Sequence, residues 1–400
     1  MESSQTEQAK TSFISELLQI ARRNAQTYTI LLALFGIWLI FFLTTGGTYL
    51  APQNLSNLFR QMSVTAFLAT GMVLVIVTGN IDLSVGKMAG FVSVVVAYLQ
   101  ANTWYDYLPD QPLLAAALSV TIGLATGAFF GALQGYIIAY LNVPSFIVTL
   151  AGLWLFNGLI LLVTEGKTIP ANQPWFEGIA QGYVPTLWGW VIAALAIGFL
   201  FWNMFRSRQN KQKHGFELRN LNIDLLITGF SSLIILIYVY NVNNYRGIQN
   251  PVLLLAITVA VMVYISNNTR FGRYAYAIGG NRDAARLSGI NIRGMIFRIF
   301  VLMGLLSGVA GIVLASYVGY GTIAAGTGYE LDAIASCILG GTSTLGGIGT
   351  VPGAMIGSLI IASLSTGLQM MNVAPAWQYV VKAIVLVLAV LADVYFKKSR

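Results

Sequence analysis

The chain has 400 residues, 56% of them hydrophobic and only 9% charged, with a formal net charge of +8. Soluble domains carry about 25% charged residues, so this composition excludes a wholly water-exposed surface and points to a bilayer as solvent. The basic residues fall in short segments between apolar runs and form no soluble basic face, which argues against nucleic acid as a partner. Cys337 is the only cysteine and His214 the only histidine. An intrachain disulfide is therefore impossible, and no metal or other cofactor bound by this chain is expected. Cys337 lies in an apolar run and reads as a small buried residue.

Residues 1–27 are polar, read as a cytoplasmic amino-terminal segment, and lack a cleavable-signal pattern. Phe13, Ile14, Leu17, Leu18 and Ile20 would share the membrane face of an interfacial helix there. From 28 to 396 the chain reads as one all-α transmembrane domain, a polytopic bundle of ten to twelve spans. Apolar runs of spanning length fall near 28–44, 62–79, 84–100, 113–141, 146–164, 186–205, 222–241, 251–267, 296–318, 333–350, 352–371 and 377–395. The run at 113–141 is too long for one straight span, so part of it is expected to tilt or to leave the membrane. The run at 333–350 is interrupted by "LGGTSTLGGIGTVPG" and reads as a discontinuous helix, tolerable only when packed inside protein. The helices near 186–241 read as an insertion that a shorter relative would lack.

Lysine and arginine set the expected orientation. The amino end, a loop at 206–219, the segment 268–298 and the carboxyl end together hold 17 of the 22 basic residues. Twelve spans put all four on one side, the cytoplasmic one, with both termini. The opposite loops carry Asp106, Asp110, Glu165 and Glu177.

Three stretches carry candidate functional residues. In "VTGNIDLSVGKMAG", Asp82 sits between Asn80 and Ser84, with Gly79 available for a turn. Its carboxylate is suited to capping a helix that starts near Leu83. An ionisable group at membrane depth also marks a pathway or gate. In "GYELDAIASCILGGTSTLGG", Glu330, Asp332, Thr342 and Ser343 are either caps and packing groups or the lining of a polar route. No charge cluster is legible in the chain, which suits a neutral substrate. Aromatics such as Trp154 and Phe156 could stack on the apolar face of a substrate, but on membrane helices core or lipid contact is their commoner role.

The third stretch is the loop 268–295. Its middle, Asn281, Arg282, Asp283, Ala284, Ala285, Arg286 and on to Gly289, reads as a short helix with a glycine stop. Small Ala284 and Ala285 would let a partner approach closely. An ordinary positive-inside loop is the plainer reading of the same charges.

"RDAARLSGI" resembles the E-A-A-x-x-x-G loop of ATP-binding-cassette importer permeases, with Asp283 in place of Glu and Ala284, Ala285 and Gly289 at matching spacing. The usual later I-x-L-P is absent. "GNIDLSVG", "AIGGNRDAARLSGIN" and "ILGGTSTLGGIGTVPGAMIGSLII" resemble hallmarks of the sugar-permease branch that includes ribose and xylose systems. The resemblance spans about 55–395, and the chain's length and extra helices look like the longer, xylose-type members.

It implies a permease subunit in a bacterial inner membrane, surrounded by lipid and paired with a second copy of itself. It also implies a separate cytoplasmic ATPase, a periplasmic sugar-binding protein and a monosaccharide substrate. Ribose, galactose and arabinose remain alternatives to D-xylose, as do branched-chain amino acids and nucleosides. The chain itself has no G-x-x-x-x-G-K-[ST], so it is not expected to be an enzyme. An ion-coupled secondary transporter is the rival class, and would need intramembrane carboxylates.

Overall fold

The computed structural model describes residues 25–216, 218 and 220–398. The expected interfacial helix in the amino-terminal segment lies outside these residues. In chain order the helices are α1 (Ala25–Thr44), α2 (Pro52–Val77), α3 (Val85–Tyr98), α4 (Trp104–Tyr107), α5 (Pro112–Tyr140), α6 (Ser145–Thr164), α7 (Pro174–Gln181) and α8 (Thr186–Lys213). They continue as α9 (Leu221–Asn243), α10 (Asn250–Asn268), α11 (Arg270–Gly280), α12 (Arg282–Leu287), α13 (Ile292–Val318), α14 (Tyr329–Leu339), α15 (Val351–Met370) and α16 (Pro375–Lys398). Two small antiparallel pairings complete the backbone: β1 (Ile169–Pro170) with β4 (Tyr320–Gly321), and β2 (Tyr183–Val184) with β3 (Ile248–Gln249).

Among the described residues, eight helices are long and apolar enough to cross a membrane, and two shorter apolar ones lie at Ile30–Thr44 and Pro375–Leu388. The expected runs at 84–100 and 333–350 are the exceptions. α3 has 14 residues, and a π-helical turn at Leu99–Thr103 links it to α4. A π turn widens the spiral without breaking it, so the helical path still runs on to Tyr107. The second exception is a true interruption. α14 has only 11 residues, about 16 Å of rise, and glycines at 340, 341, 346 and 347 then hold an irregular loop. The run at 113–141 is one unbroken helix, α5, of 29 residues and about 44 Å, so it projects beyond a bilayer core of about 30 Å.

Burial sorts the helices into layers. The most apolar 18-residue stretches of α2, α13 and α15 are 89%, 78% and 72% buried, against 11% and 17% for α8 and α9. The first three are the centre of the bundle. α8 and α9 form a hairpin at its edge, joined at one end by Asn243 Nδ2 donating to the Thr186 carbonyl at 3.3 Å and at the other by an Arg208–Asp224 ion pair.

Close packing at the centre depends on glycine. Gly123, Gly127, Gly131 and Gly135 recur every four residues along α5 and are all buried. A Cβ at Gly131 would lie 2.9 Å from Gly304 Cα on α13 and 3.1 Å from its nitrogen. The two backbones therefore touch directly, the small-residue contact typical of membrane helices.

Two ends of the bundle can be told apart. The turn at 78–84, the segment 268–291 and the loop 340–350 meet at what we term the basic end. There the Gly347 nitrogen donates to the Val77 carbonyl at 2.8 Å, and the Tyr276 hydroxyl donates to the Gly349 carbonyl at 2.8 Å. The β pairings, α7 and the segment 319–321 gather at the opposite end, where the Ala171 nitrogen donates to the Gly319 carbonyl.

The segment expected as the loop 206–219 is mostly helix. α8 runs through "RSRQNKQK" to Lys213 and stops only at Gly215, which adopts φ +68°. Nothing in that stretch disfavours a helix, and its last-turn lysines complement the helix dipole.

Candidate translocation pathway and coupling surface

The turn after α2 is built by its own polar residues. Gly79 takes φ +76° and allows the chain to reverse. Asn80 donates to the Thr78 carbonyl at 3.3 Å and to its hydroxyl at 3.1 Å. Asp82 Oδ1 accepts the Ser84 backbone N–H at 2.9 Å and the Ser84 hydroxyl at 2.7 Å. The helix begins at Val85, two residues later than the expected start, because this Asx turn occupies Asp82 to Ser84. The Gln134 amide from α5 donates to the Ser84 hydroxyl at 2.9 Å. Asp82, only 1% exposed, thereby joins α3 to α5 at the basic end.

One turn into α3, Lys87 is also buried. Its ammonium donates to the Thr327 hydroxyl at 2.8 Å and to the Ile323 carbonyl at 3.4 Å. Glu330 lies within electrostatic range of it, and Gly86 leaves the space that the Glu330 carboxylate fills. Two residues on, Asp332 receives Lys382 Nζ at 3.1 and 3.0 Å, one contact to each carboxylate oxygen. Both acids stand in the first turn of α14, where the helix dipole favours negative charge.

Lys87 and Glu330, both buried, and Asp332 and Lys382, both half-buried, thus form a charge cluster, contrary to the sequence-based expectation that there is none. Its members come from three elements, and Lys87 and Lys382 each look like an isolated residue in an apolar run. A buried lysine inside an apolar run is the signal that was available.

The structure separates Thr342 and Ser343 from Glu330 and Asp332. They follow α14 at its far end and belong to the glycine loop of the basic end. Thr342 is buried and its hydroxyl lacks a hydrogen-bond partner. The Ser343 hydroxyl accepts the Leu345 nitrogen at 3.3 Å. Of the aromatics, Phe156 is a core residue packed against Phe91 and Phe130, and Trp154 points outward, 72% exposed.

The coupling segment contains more helix than its sequence suggested. α11 packs Gly272, Ala275 and Ile278 inward. α12 follows at once, with the Asn281 side chain accepting the Ala284 nitrogen at 2.9 Å as its N-cap. Gly289 closes it at φ +79°, and the space around a Cβ there is open.

Asn281, Arg282, Asp283, Ala284, Arg286 and Gly289 are exposed. Ala285 is not: it is 4% exposed and packs into the main core. The expectation that both alanines face a partner is corrected by that geometry, because a six-residue helix lying on the bundle turns one side inward. The side chain missed by sequence reasoning is Leu287, 89% exposed. Leu345 on the neighbouring glycine loop is 90% exposed. Single leucines carry no periodic pattern, so nothing in the sequence marked either. Among the described residues no group of three metal-ligating side chains occurs.

A broken helix with charges in its first turn, a polar turn at one end and a helix lying across that same end together define a membrane transport component. The chain belongs to the family of branched-chain amino acid transport system permease components, which it matches over residues 54–390. It is a multi-pass membrane component of a transport system, not an enzyme. It is 42% identical over 377 residues to the xylose transport system permease protein of Haemophilus influenzae, covering 94% of this chain and 98% of the relative. To the Escherichia coli K12 xylose transport system permease protein it is 41% identical over 371 residues, 92% of each chain. To the ribose import permease protein of the same organism it is 33% identical over 353 residues, 88% of each chain. No solved structure matches it.

Proposed function

We propose that this chain is the permease subunit of an ATP-driven importer of a monosaccharide, D-xylose. The observation that carries the substrate is its similarity to two xylose permeases at 41–42% identity along nearly its whole length, well above its identity to the ribose permease. The geometry that supports ATP coupling is α12, an exposed helix rooted in the core by Ala285 and ending in bare Leu287. A separate ATPase docks there, on the cytoplasmic side. A periplasmic binding protein delivers the sugar at the opposite end, and two copies of the chain pair in the membrane about an approximate two-fold axis. Both termini are cytoplasmic. This chain holds no cofactor of its own. α8 and α9, which lie at the edge of the bundle, are an addition specific to the longer members of the family.

Substrate choice is tested by uptake of labelled D-xylose in cells that lack their own pentose permease and express this chain with its partners. Excess unlabelled D-xylose abolishes the signal, while ribose, galactose and arabinose compete weakly. Stronger competition by ribose than by D-xylose would reassign the substrate.

A further inference from the structure

A cavity of about 350 Å³ lies between α2, α14, α15 and α16. Gln369, in the last turn of α15, and Pro375, the first residue of α16, are its exposed lining at the opposite end, and half-buried Asp332 and Lys382 line it further in. Ligand pockets commonly measure about 300–1,000 Å³, so this one suits a solute smaller than a drug. We propose that it is a binding subsite, contained within one copy of the chain, for a neutral polyhydroxylated molecule the size of a pentose. The inference rests on the transport reading above and adds where in the chain the sugar pauses.

The chemistry of the wall selects the ligand. Thr65 and Ser365 both line the cavity, and both spend their hydroxyl protons on their own helices, at 3.1 Å to the Met62 carbonyl and 3.0 Å to the Ile361 carbonyl. The Gln378 amide donates to the Val373 carbonyl at 2.9 Å. Each of these groups keeps acceptor lone pairs. The Asp332 carboxylate adds more, beyond the two contacts from Lys382. The Gln61 and Gln369 amides and the Tyr379 hydroxyl add donors to the same wall, and a sugar hydroxyl both donates and accepts. An anion would face the Asp332 carboxylate and a cation the Lys382 ammonium. The Asp332–Lys382 pair cancels its own charge, and a partly buried pair of this kind gains from further hydrogen bonds that reach it. Sugar hydroxyls supply those bonds. The Tyr379 ring, also in the wall, offers an apolar face to the sugar's C–H side.

The test is site-specific labelling of the full-length chain in its transport complex, with Cys337→Ala removing the native thiol and Ser365→Cys placing one in the cavity. D-xylose is expected to slow modification by a small polar thiol reagent severalfold and saturably, while sodium chloride and inorganic phosphate leave the rate unchanged. Gln369→Cys on the exposed lining serves as the second position should the first variant fail to fold. Filling the cavity with Ala362→Phe is expected to abolish D-xylose uptake without loss of the protein from the membrane.

Unchanged labelling at both positions, in a complex that takes up D-xylose, would overturn the subsite and leave the transport reading intact. Equal protection by salt or phosphate, or full uptake by the Ala362→Phe variant, would also overturn it. A wild-type complex that takes up no monosaccharide would instead sink the transport reading itself.

Discussion

Asp82 illustrates how one side chain serves structure and leaves function separable. Both of its hydrogen bonds from Ser84 end on Oδ1, and an asparagine carbonyl oxygen can accept the same two. Asp82→Asn should therefore insert and express like the wild type yet transport more slowly, because it removes charge from the turn without removing the turn's hydrogen bonds. Uptake rates normalised to protein in the membrane decide this, and a wild-type rate would leave a structural role alone. Asp82→Ala removes both hydrogen bonds of the Asx turn too and should destabilise the protein by about 1–3 kcal/mol. A local structural role for Asp82 was legible from "NIDLSV", but it is a turn that precedes the helix and not its cap, because Ser84 stands at the N-cap position without a side-chain capping bond. The partnership with Gln134, 50 residues away, was not, and neither were the Lys87–Thr327 and Lys382–Asp332 contacts. Such pairs are set by which helices cross, and helix order is not encoded in any single motif.

Among the elements, the α5–α13 crossing and α12 make opposite demands on glycine. At Gly131 a side chain has no room, because the backbone of Gly304 is already in contact. Gly131→Leu should lower stability by at least about 3 kcal/mol, at the upper end of overpacking costs. The check is the thermal midpoint of the purified protein in detergent, together with its yield from membranes. A midpoint within experimental error of the wild type would show that the crossing is looser than described.

At Gly289 the space is open but the backbone is left-handed. A non-glycine residue there strains the exit of α12 and alters its exposed surface, not the core. Gly289→Glu should insert normally, lose transport and co-purify with less ATPase. Full transport by a well-expressed variant would place the docking contact elsewhere, most directly at the end of α8. The spacing of Ala284, Ala285 and Gly289 made α12 legible. Its orientation was not, since six residues are too few for a periodic pattern to show that Ala285 faces inward and Leu287 outward.

For the molecule as a whole, composition alone established a membrane solvent, and hydropathy placed most long helices within a few residues. α2 starts ten residues before the expected run at 62–79 because its first turns are polar, and α8 runs eight residues past 205. What it blurred was continuity. The break after α14 was legible from its glycines, but the π turn at Leu99–Thr103 was not, because hydropathy is blind to the helical pitch. Polarity of the ends follows from the basic residues, and the cytoplasmic assignment is open to direct test. With Cys337 replaced, a cysteine at Gln209 should resist an impermeant reagent added from outside and react only after the membrane is opened. Labelling in intact cells would invert the arrangement.

The central claim is that this chain moves a pentose under the control of a separate ATPase. Uptake of D-xylose into proteoliposomes containing the chain, its ATPase and its binding protein measures that most directly. The account predicts accumulation only when ATP is present on the side of α12 and the binding protein on the other, with none driven by a proton gradient alone. Uptake that follows an imposed proton gradient, without ATP or binding protein, would contradict it.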